Sequence, residues 1–240
     1  MLVWTVASSA RTSNGRPHPP PIQPRFYFGN EFSEFRSVFA DYPHKVVYAN
    51  PGTHLKPVGE YMDGNFYLAE GVCQVTVHHD SGANRLIGFW GADSIYPIIA
   101  SDQHFNLERT IAQCAITETR AWKFSFETTR RIMKEHPEVS YAMIDHYGRY
   151  TNALKFLATA QTYESLRTRI CNAFYIRDIY GSVGPAMTQS ELASIIGARR
   201  ESVVKVLAQL KSDGIVESDG RKIWVTDREA LERECSALLK

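Results

Sequence analysis

The sequence has no group of cysteines that could bind a metal ion or an iron–sulfur cluster. Its four cysteines, Cys73, Cys114, Cys171 and Cys235, are far apart, and no two form a C-x-x-C pair. Zinc and iron–sulfur sites built from cysteine need closely spaced ligands. We therefore interpret these residues as free, buried thiols in a reducing compartment, and we expect no metal site.

The sequence also lacks a charge excess and a long apolar run. Its net charge is +1 over 240 residues, so the chain as a whole is not a polycation. No run is long enough to span a bilayer, and the apolar start MLVWTVASSA lacks the basic residues that open a signal peptide. We expect a soluble, cytoplasmic protein without a membrane partner. The hydrophobic fraction of 44% can fill the cores of two domains.

The first 25 residues differ in composition from the rest of the chain. After the short apolar start comes RTSNGRPHPPPIQP, which is rich in proline and polar residues. Such a composition cannot bury enough apolar surface to fold. We predict that residues 1–25 form a disordered or loosely attached arm, although a wrongly assigned start codon would look the same.

The stretch from Met187 to Leu210 predicts two helices joined by a tight turn. Thr188 can cap the first helix, with Glu191 completing a capping box, and Gly197 ends that helix where a left-handed residue is needed. The second helix has one apolar face, and its polar face begins with Arg199, Arg200, Glu201, Ser202 and Lys205. This pattern is typical of a helix-turn-helix unit that binds DNA, although an ordinary helical hairpin has the same periodicity.

Two short strands follow this hairpin. Ile215–Glu217 and Ile223–Val225 are separated by Ser218–Gly220, a tight-turn signal. Helix, turn, helix and β-hairpin together make a winged helix-turn-helix. The segment from Ser165 to Val225 contains nine basic and six acidic residues, a small excess of positive charge that permits DNA binding without indicating it.

At these residues the sequence resembles the Crp–Fnr superfamily of bacterial transcription regulators. The departures are Arg199, where the family usually has a Ser or Thr helix cap, and Lys205, where it usually has Arg. The resemblance implies an α+β fold with an N-terminal antiparallel β-roll (jelly-roll) domain, a long dimerisation helix and a C-terminal winged helix-turn-helix domain. The matched positions are Thr188, Glu191, Leu192, Ala193, Ile196, Gly197, Arg200, Glu201, Ser202, Val203, Lys205, Leu207, Leu210, Gly214 and Ile215.

Short β-rich runs separated by glycines extend from about Val46 to Phe126, a spacing typical of a sandwich or jelly roll. They resemble the effector domain of the same superfamily. A cupin-like metalloenzyme with a helical appendage is an alternative, because cupins are also jelly rolls. However, His78 and His79 are adjacent and should point to opposite faces of a strand, so they cannot share a metal. We expect no enzymatic activity and no catalytic residues.

The segment after Gly91 bears on the choice of effector. Superfamily members that bind cyclic nucleotides place an Arg with Ser or Thr here, where it neutralises a phosphate. In this chain the acidic residue is displaced to Asp93, and the pair Arg109-Thr110 follows Glu108, whose charge would oppose an anion. A regulator responding to a cyclic nucleotide or to haem remains an alternative. The segment GADSIYP has no histidine to bind haem and no cysteine precedes Cys73, so we expect no cofactor.

The apolar run that contains Tyr96 and Ile98 favours a small apolar or aromatic effector. The segment is loosely similar to the CprK branch of the superfamily, whose members respond to halogenated phenols. The resemblance also places the long helix beside the effector pocket. The predicted effector-binding residues are Tyr96, Ile98, Tyr147 and Tyr150.

A long helix is predicted from His136 to about Thr162. Its apolar positions alternate by four and three, as in the seam of a two-stranded coiled coil. We predict a homodimer that associates through Val139, Met143, His146, Tyr150 and Leu157 of this seam. A second stripe, Ile144, Tyr147, Lys155 and Ala158, would then face the β-roll.

These observations predict an effector-gated, homodimeric transcription regulator with four segments: an arm at 1–25, an effector domain at 26–135, a dimerisation helix at 136–163 and a DNA-binding domain at 164–240. By resemblance, Arg200, Glu201 and Lys205 read bases of an inverted repeat in double-stranded DNA, and RNA polymerase is a further partner. Predicted phosphate contacts are Thr188, Gln189, Arg199 and Ser202. A constitutive architectural DNA-binding protein is a further alternative.

Overall fold

The computed structural model describes residues 24–98, 101–179, 188–219 and 223–239. The predicted arm at 1–25 therefore lies outside the described residues, apart from its last two. The strands are β1 (Tyr27–Phe28), β2 (Lys45–Ala49), β3 (His54–Lys56), β4 (Asn65–Glu70), β5 (Cys73–His78), β6 (Asn84–Trp90), β7 (Ser94–Tyr96), β8 (Ile111–Ala115), β9 (Thr119–Phe124), β10 (Val216–Ser218) and β11 (Ile223–Val225). The α-helices are α1 (Arg36–Asp41), α2 (Phe126–Glu135), α3 (Pro137–Tyr163), α4 (Leu166–Ile179), α5 (Gln189–Ile196), α6 (Arg200–Ser212) and α7 (Arg228–Glu234).

The N-terminal half is a β-roll of two sheets, as the sequence predicts. One sheet has the strand order β1-β6-β5-β8-β3, and the other has the order β2-β9-β4-β7. All pairs are antiparallel except β1 with β6. Successive side chains of β4 point to opposite faces of the sheet, so the strand contributes to two hydrophobic clusters. Phe66 and Leu68 lie in the cluster between the sheets, whereas Tyr67 and Ala69 lie in a second cluster with residues of the helices.

Helix α3 packs on the roll through the face that the sequence assigned to the dimer. Val139 and Met143 join the cluster that contains Tyr67, and His146 is 3% exposed within a single chain. Leu157 is also buried, among residues of the C-terminal half. Within one subunit, four side chains of the predicted seam are therefore buried instead of exposed to a partner helix: Val139, Met143, His146 and Leu157. A helix lying on a sheet produces the same spacing as a helix in a coiled coil.

The second stripe on α3, which was expected to face the β-roll, is the exposed one. Ile144 is 66% and Tyr147 54% exposed, and Lys155 and Ala158 are exposed as well. Tyr150 lies between the two faces and contacts the rings of Trp90 and Phe28. The periodicity predicted the helix correctly, but the face expected to meet a partner is buried, and the face expected to meet the roll is exposed.

The C-terminal half contains α4 to α7 and the two-stranded wing. Its core includes Ile170, Phe174, Leu192, Val203 and Leu210, contributed by α4, α5 and α6. In the wing, Ser218 pairs with Ile223, so four residues connect the strands rather than the two of the tightest hairpins. Residues 220–222 of that connection lie outside the described residues. None of the helices in the described ranges is both long and apolar enough to cross a membrane.

Candidate effector cavity and DNA-binding face

The helix-turn-helix is set by two local signals, both predicted from the sequence. The Thr188 hydroxyl accepts a hydrogen bond from the backbone N–H of Glu191 at 3.2 Å, and the Glu191 carboxylate accepts one from the N–H of Thr188 at 2.7 Å. This capping box fixes the start of α5. Gly197 ends α5 with φ of +64°, a left-handed conformation that turns the chain towards α6.

Helix α6 separates an apolar face from an exposed polar face. Val203, Leu207 and Leu210 are buried. The predicted base-reading residues, Arg200, Glu201 and Lys205, and two of the predicted phosphate contacts, Arg199 and Ser202, are all exposed.

The start of α6 agrees with the departure seen in the sequence. Arg199 occupies the cap position with extended backbone, and its side chain makes no capping hydrogen bond. Its guanidinium therefore remains exposed at the helix start, where backbone N–H groups also favour an anion. Of the other predicted phosphate contacts, Thr188 is exposed and Gln189 is half-buried at the start of α5.

A cavity of about 510 Å³ lies between the β-roll and α3. The four predicted effector-binding residues, Tyr96, Ile98, Tyr147 and Tyr150, all line it. The size is that of a pocket for a small ligand, and its wall is mostly apolar. The other lining residues are Trp90, Pro97, Phe105, Leu107, Glu108, Ile111, Met133, Met143, Ile144 and His146.

Aromatic rings form the deep wall of this cavity. The ring centroids of Trp90 and Tyr96 are 4.6 Å apart, and those of Trp90 and Tyr150 are 5.7 Å apart. Within the described residues, the buried Nε1 of Trp90 has no hydrogen-bond partner. Burial raises the pKa of Tyr96 well above 10 and the pKa of Tyr150 to about 12, so both phenols are neutral at physiological pH. Sequence reasoning missed Trp90, because nothing in strand β6 marks it as a cavity residue.

Glu108 places a buried carboxylate in the same wall. Its side chain is 7% exposed and accepts hydrogen bonds from His104 Nδ1 at 3.0 Å and from the backbone N–H groups of Phe105 and Met62 at 3.1 and 3.2 Å. Burial raises the pKa of Glu108, but these hydrogen bonds outweigh burial and hold the pKa below its ordinary value. The carboxyl is therefore ionised at neutral pH.

The residues that replace the cyclic-nucleotide motif have other partners. Asp93 accepts a hydrogen bond from Arg36 at 2.7 Å and another from the Tyr67 hydroxyl. Arg109 donates to the carbonyl of Gly59 at 3.1 Å and is not among the residues that line the cavity. Neither Arg36 nor Arg109 lines the cavity, whereas the carboxylate of Glu108 does and would oppose a phosphate.

His146 also lines the cavity, rather than the dimer seam to which the sequence assigned it. Its Nδ1 contacts the carboxylate of Glu31, which is 4% exposed. Arg25 also contacts Glu31, and Arg149 approaches it to 3.4 Å. These contacts around the buried Glu31 link α3 to the segment after β1.

The histidines of the metalloenzyme alternative are engaged elsewhere. His78 Nε2 lies 2.8 Å from the Thr76 hydroxyl, and His79 Nδ1 lies 2.8 Å from the Ser81 hydroxyl. Across the described part of the chain, no three His, Cys, Asp or Glu side chains come together as a metal site would require.

The DNA-binding half docks directly on the β-roll. The hydroxyl of Ser194 on α5 accepts a hydrogen bond from the backbone N–H of Leu86 on β6 at 2.7 Å. Arg85 donates to the Gln161 side chain on α3 at 2.6 Å. Phe26, Leu86 and Phe89 of the roll belong to the hydrophobic cluster of the C-terminal half. The arrangement of α5 and α6 is therefore coupled to the roll and to α3.

Comparisons with known proteins agree with this architecture. A sequence model of the Crp-like helix-turn-helix domain matches residues 168–234. The chain is 25% identical over 183 residues to a CRP-like cAMP-activated global transcriptional regulator of Mycobacterium tuberculosis (strain CDC 1551 / Oshkosh), covering 73% of this chain and 81% of that protein.

Solved structures extend the likeness to the whole fold. CprK complexed with OCPA matches with a TM-score of 0.69 at 18% identity, over 88% of this chain and 98% of the other. A CooA mutant from Carboxydothermus hydrogenoformans also reaches 0.69 at 17% identity, over 83% and 90%. With its β-roll, long helix and winged helix-turn-helix, this chain shares the fold of CprK and CooA, and its residues 168–234 match the Crp-like helix-turn-helix domain.

Proposed function

We propose that this regulator is a homodimer whose binding to an inverted repeat in DNA is gated by a small apolar or aromatic effector in the cavity between the β-roll and α3. The observation that carries the proposal is the position of the cavity. Its wall includes residues of both the roll and α3, and α5 is docked on the same roll. A ligand that fits one arrangement of these elements better than another shifts the population between them.

The exposed stripe of α3 supplies the dimer interface in this proposal. Seven positions on this side of α3 recur at alternating intervals of three and four, and all but the half-buried Thr151 are exposed: Tyr141, Ile144, Gly148, Thr151, Lys155, Ala158 and Thr162. This spacing suits a two-stranded coiled coil, and small residues in it allow the helices to approach closely. Phe105 and Leu107, at the mouth of the cavity, are also exposed. A partner's α3 would cover both the stripe and part of the mouth.

The segments then have separate tasks. Residues 26–135 bind the effector, residues 136–163 hold the dimer together, and residues 164–240 bind DNA. The hydrogen bond between Ser194 and Leu86 lies at the contact through which the effector domain positions α5. RNA polymerase is the further partner we propose for the DNA-bound form.

Arg200, Glu201 and Lys205 read bases in this proposal. Arg and Lys can donate to the guanine O6 and N7 acceptors, and Glu can accept from the cytosine N4 amine. Arg199, Ser202, Thr188 and Gln189 contact phosphates, which position the domain without reading sequence. A two-fold dimer then needs half-site centres about one helical turn apart, roughly 10–11 base pairs.

Binding-site selection at fixed salt tests this assignment. Glu201→Ala should relax the preference at one base pair of each half-site, a discrimination of about 1–3 kcal/mol. Ser202→Ala is the matched control, and it should weaken binding to all sequences alike. An unchanged selected motif for Glu201→Ala would show that α6 does not read bases through this residue.

The effector is tested by calorimetry and by DNA affinity. The Mycobacterium relative is cAMP-activated by its name, but the carboxylate of Glu108 in the cavity wall of this chain opposes an anion and favours an aromatic without negative charge, a neutral phenol included. We expect such compounds to bind and to change DNA affinity, and cyclic nucleotides to do neither. Tight cyclic-nucleotide binding without a response to aromatics would overturn the proposal. DNA affinity that no ligand alters would favour the constitutive architectural alternative.

A further inference from the structure

The charge of the cavity wall restricts the ligand more than its apolar character does. Of the described residues that line the cavity, Glu108 is the only acidic one. We propose that the effector is a hydrophobic cation, an aromatic ring joined to a protonated amine whose N–H groups face Glu108. This inference rests on the proposed function, since it concerns the ligand of the same cavity.

Within the described residues, the carboxylate of Glu108 is held by hydrogen bonds and not by a direct ion pair with Lys or Arg. The carboxylate accepts three hydrogen bonds, two from backbone N–H groups and one from His104, whose side chain is 38% exposed. Backbone donors stabilise the negative charge without cancelling it. A carboxylate accepts about four hydrogen bonds, so with three accepted it retains room for a ligand N–H.

The nearby Lys56 and Arg109 do not line the cavity and have other partners. The ammonium of Lys56 donates to the backbone carbonyl of Ile111 at 2.5 Å and to that of Glu108, and Lys56 does not line the cavity. The guanidinium of Arg109 lies over the ring of Tyr61 at 5.7 Å. On the other wall, His146 contacts the carboxylate of Glu31. Lys56 also attracts Glu108 electrostatically, but of the two only Glu108 lines the cavity, so a ligand N–H group would meet this carboxylate there.

The aromatic wall suits the same ligand. The rings of Trp90, Tyr96 and Tyr150 are packed around the cavity, and ring faces attract cations as well as apolar groups. The hydroxyls of Tyr96 and Tyr150 stay protonated and the indole of Trp90 is neutral, so none of these rings adds a charge that would bind a second cation. An anionic ligand would instead meet Glu108 in a site of low dielectric, where repulsion is strong.

Three ligands of matched shape test the inference on the full-length protein. 2-Phenylethylamine is a cation at pH 7, 2-phenylethanol is neutral, and phenylacetate is an anion. We expect calorimetry to show the amine binding about tenfold or more tightly than the alcohol, because a hydrogen bond to a charged group is stronger than a neutral one. Phenylacetate should bind most weakly.

Two variants distinguish an effect of the Glu108 carboxylate from an effect of the protein's overall charge. Glu108→Gln should bring the affinity for the amine down to that for the alcohol and leave the alcohol unchanged. Glu60→Gln, at an exposed carboxylate near the same segment, should leave the order of the three ligands intact. If Glu108→Gln does not fold, the wild-type order of affinities still decides the matter.

The outcomes distinguish the two proposals. Equal or tighter binding of phenylacetate, or an amine affinity that is unchanged in Glu108→Gln, would overturn the charge inference alone. Binding of 2-phenylethanol or of a phenol without preference for the amine would do the same and leave the proposed function standing. If no aromatic of any charge binds, the proposed function fails together with the inference.

Discussion

Two neighbouring residues on α3 distinguish the face that packs within a subunit from the face available to a partner. Leu157 is buried in the core of the C-terminal half, whereas Ala158 is exposed in the stripe proposed for the dimer. We predict that Leu157→Ala lowers the free energy of unfolding of each subunit. Ala158→Glu should instead weaken the dimer, because it places two negative charges in one seam.

The magnitude for Leu157 follows from its surroundings. Truncation to Ala removes three carbon groups, worth about 0.8 kcal/mol each when buried. Leu157 already borders a void of about 10 Å³ beside Ala160 and Ala173, so the new space adds to an existing gap. The cavity term brings the expected loss to about 3 kcal/mol, within the range of roughly 2–5 kcal/mol for such substitutions.

Urea unfolding at fixed protein concentration measures the first effect, and sedimentation equilibrium measures the second. Tyr48→Glu is the control, since it adds the same charge at a residue on β2 that is 75% exposed and lies outside α3. A dimer that dissociates in Leu157→Ala while Ala158→Glu remains a dimer would show that the faces of α3 are assigned the wrong way round.

Two further substitutions have defined outcomes. Thr188→Ala removes the side-chain acceptor for the N–H of Glu191 and should lower unfolding free energy by about 1 kcal/mol, whereas the exposed Ser190→Ala should not. Folding lowers the pKa of Glu108, so its ionised carboxylate adds to the free energy of unfolding above its ordinary pKa of 4.5. That contribution is lost as the pH falls through the lower pKa of the folded state. Glu108→Gln should therefore flatten the acid side of a thermal-melt profile, and an unaltered slope would contradict this.

Local signals in the sequence predicted the local structure of the DNA-binding half. The capping box of Thr188 and Glu191 and the left-handed Gly197 depend on residues only a few positions apart. Their geometry is fixed by the backbone they cap, so the sequence alone determines it. The start of α3 is also determined locally, because Pro137 stands in the first turn, where its fixed φ suits a helix.

Contacts between distant segments were harder to predict. The period of α3 was correct, but it does not reveal whether a sheet or a second helix covers each face, and Met143 was therefore placed on the wrong side. Trp90 reaches the cavity only because β6 lies beside β5 and beneath α3. Glu108 was recognised as an acid opposed to an anion, but its place in the cavity wall depends on the path of the chain from β7 to β8. Tyr96 and Tyr147, in contrast, were placed beside one cavity by the family resemblance.

The core shared by the β-roll and the DNA-binding half bears on how the protein denatures. Phe26, Leu86 and Phe89 pack with the residues of α4, α5 and α6, so the two halves of a subunit are not independent folding units. Melting of the roll would expose the apolar side of α5, and each half would lose part of its stability with the other. The subunit should therefore unfold in a single cooperative step. A fragment of residues 164–240 expressed alone would carry an exposed apolar patch, and chimeras with other effector domains would need the surface of β6 to be transferred along with the helices.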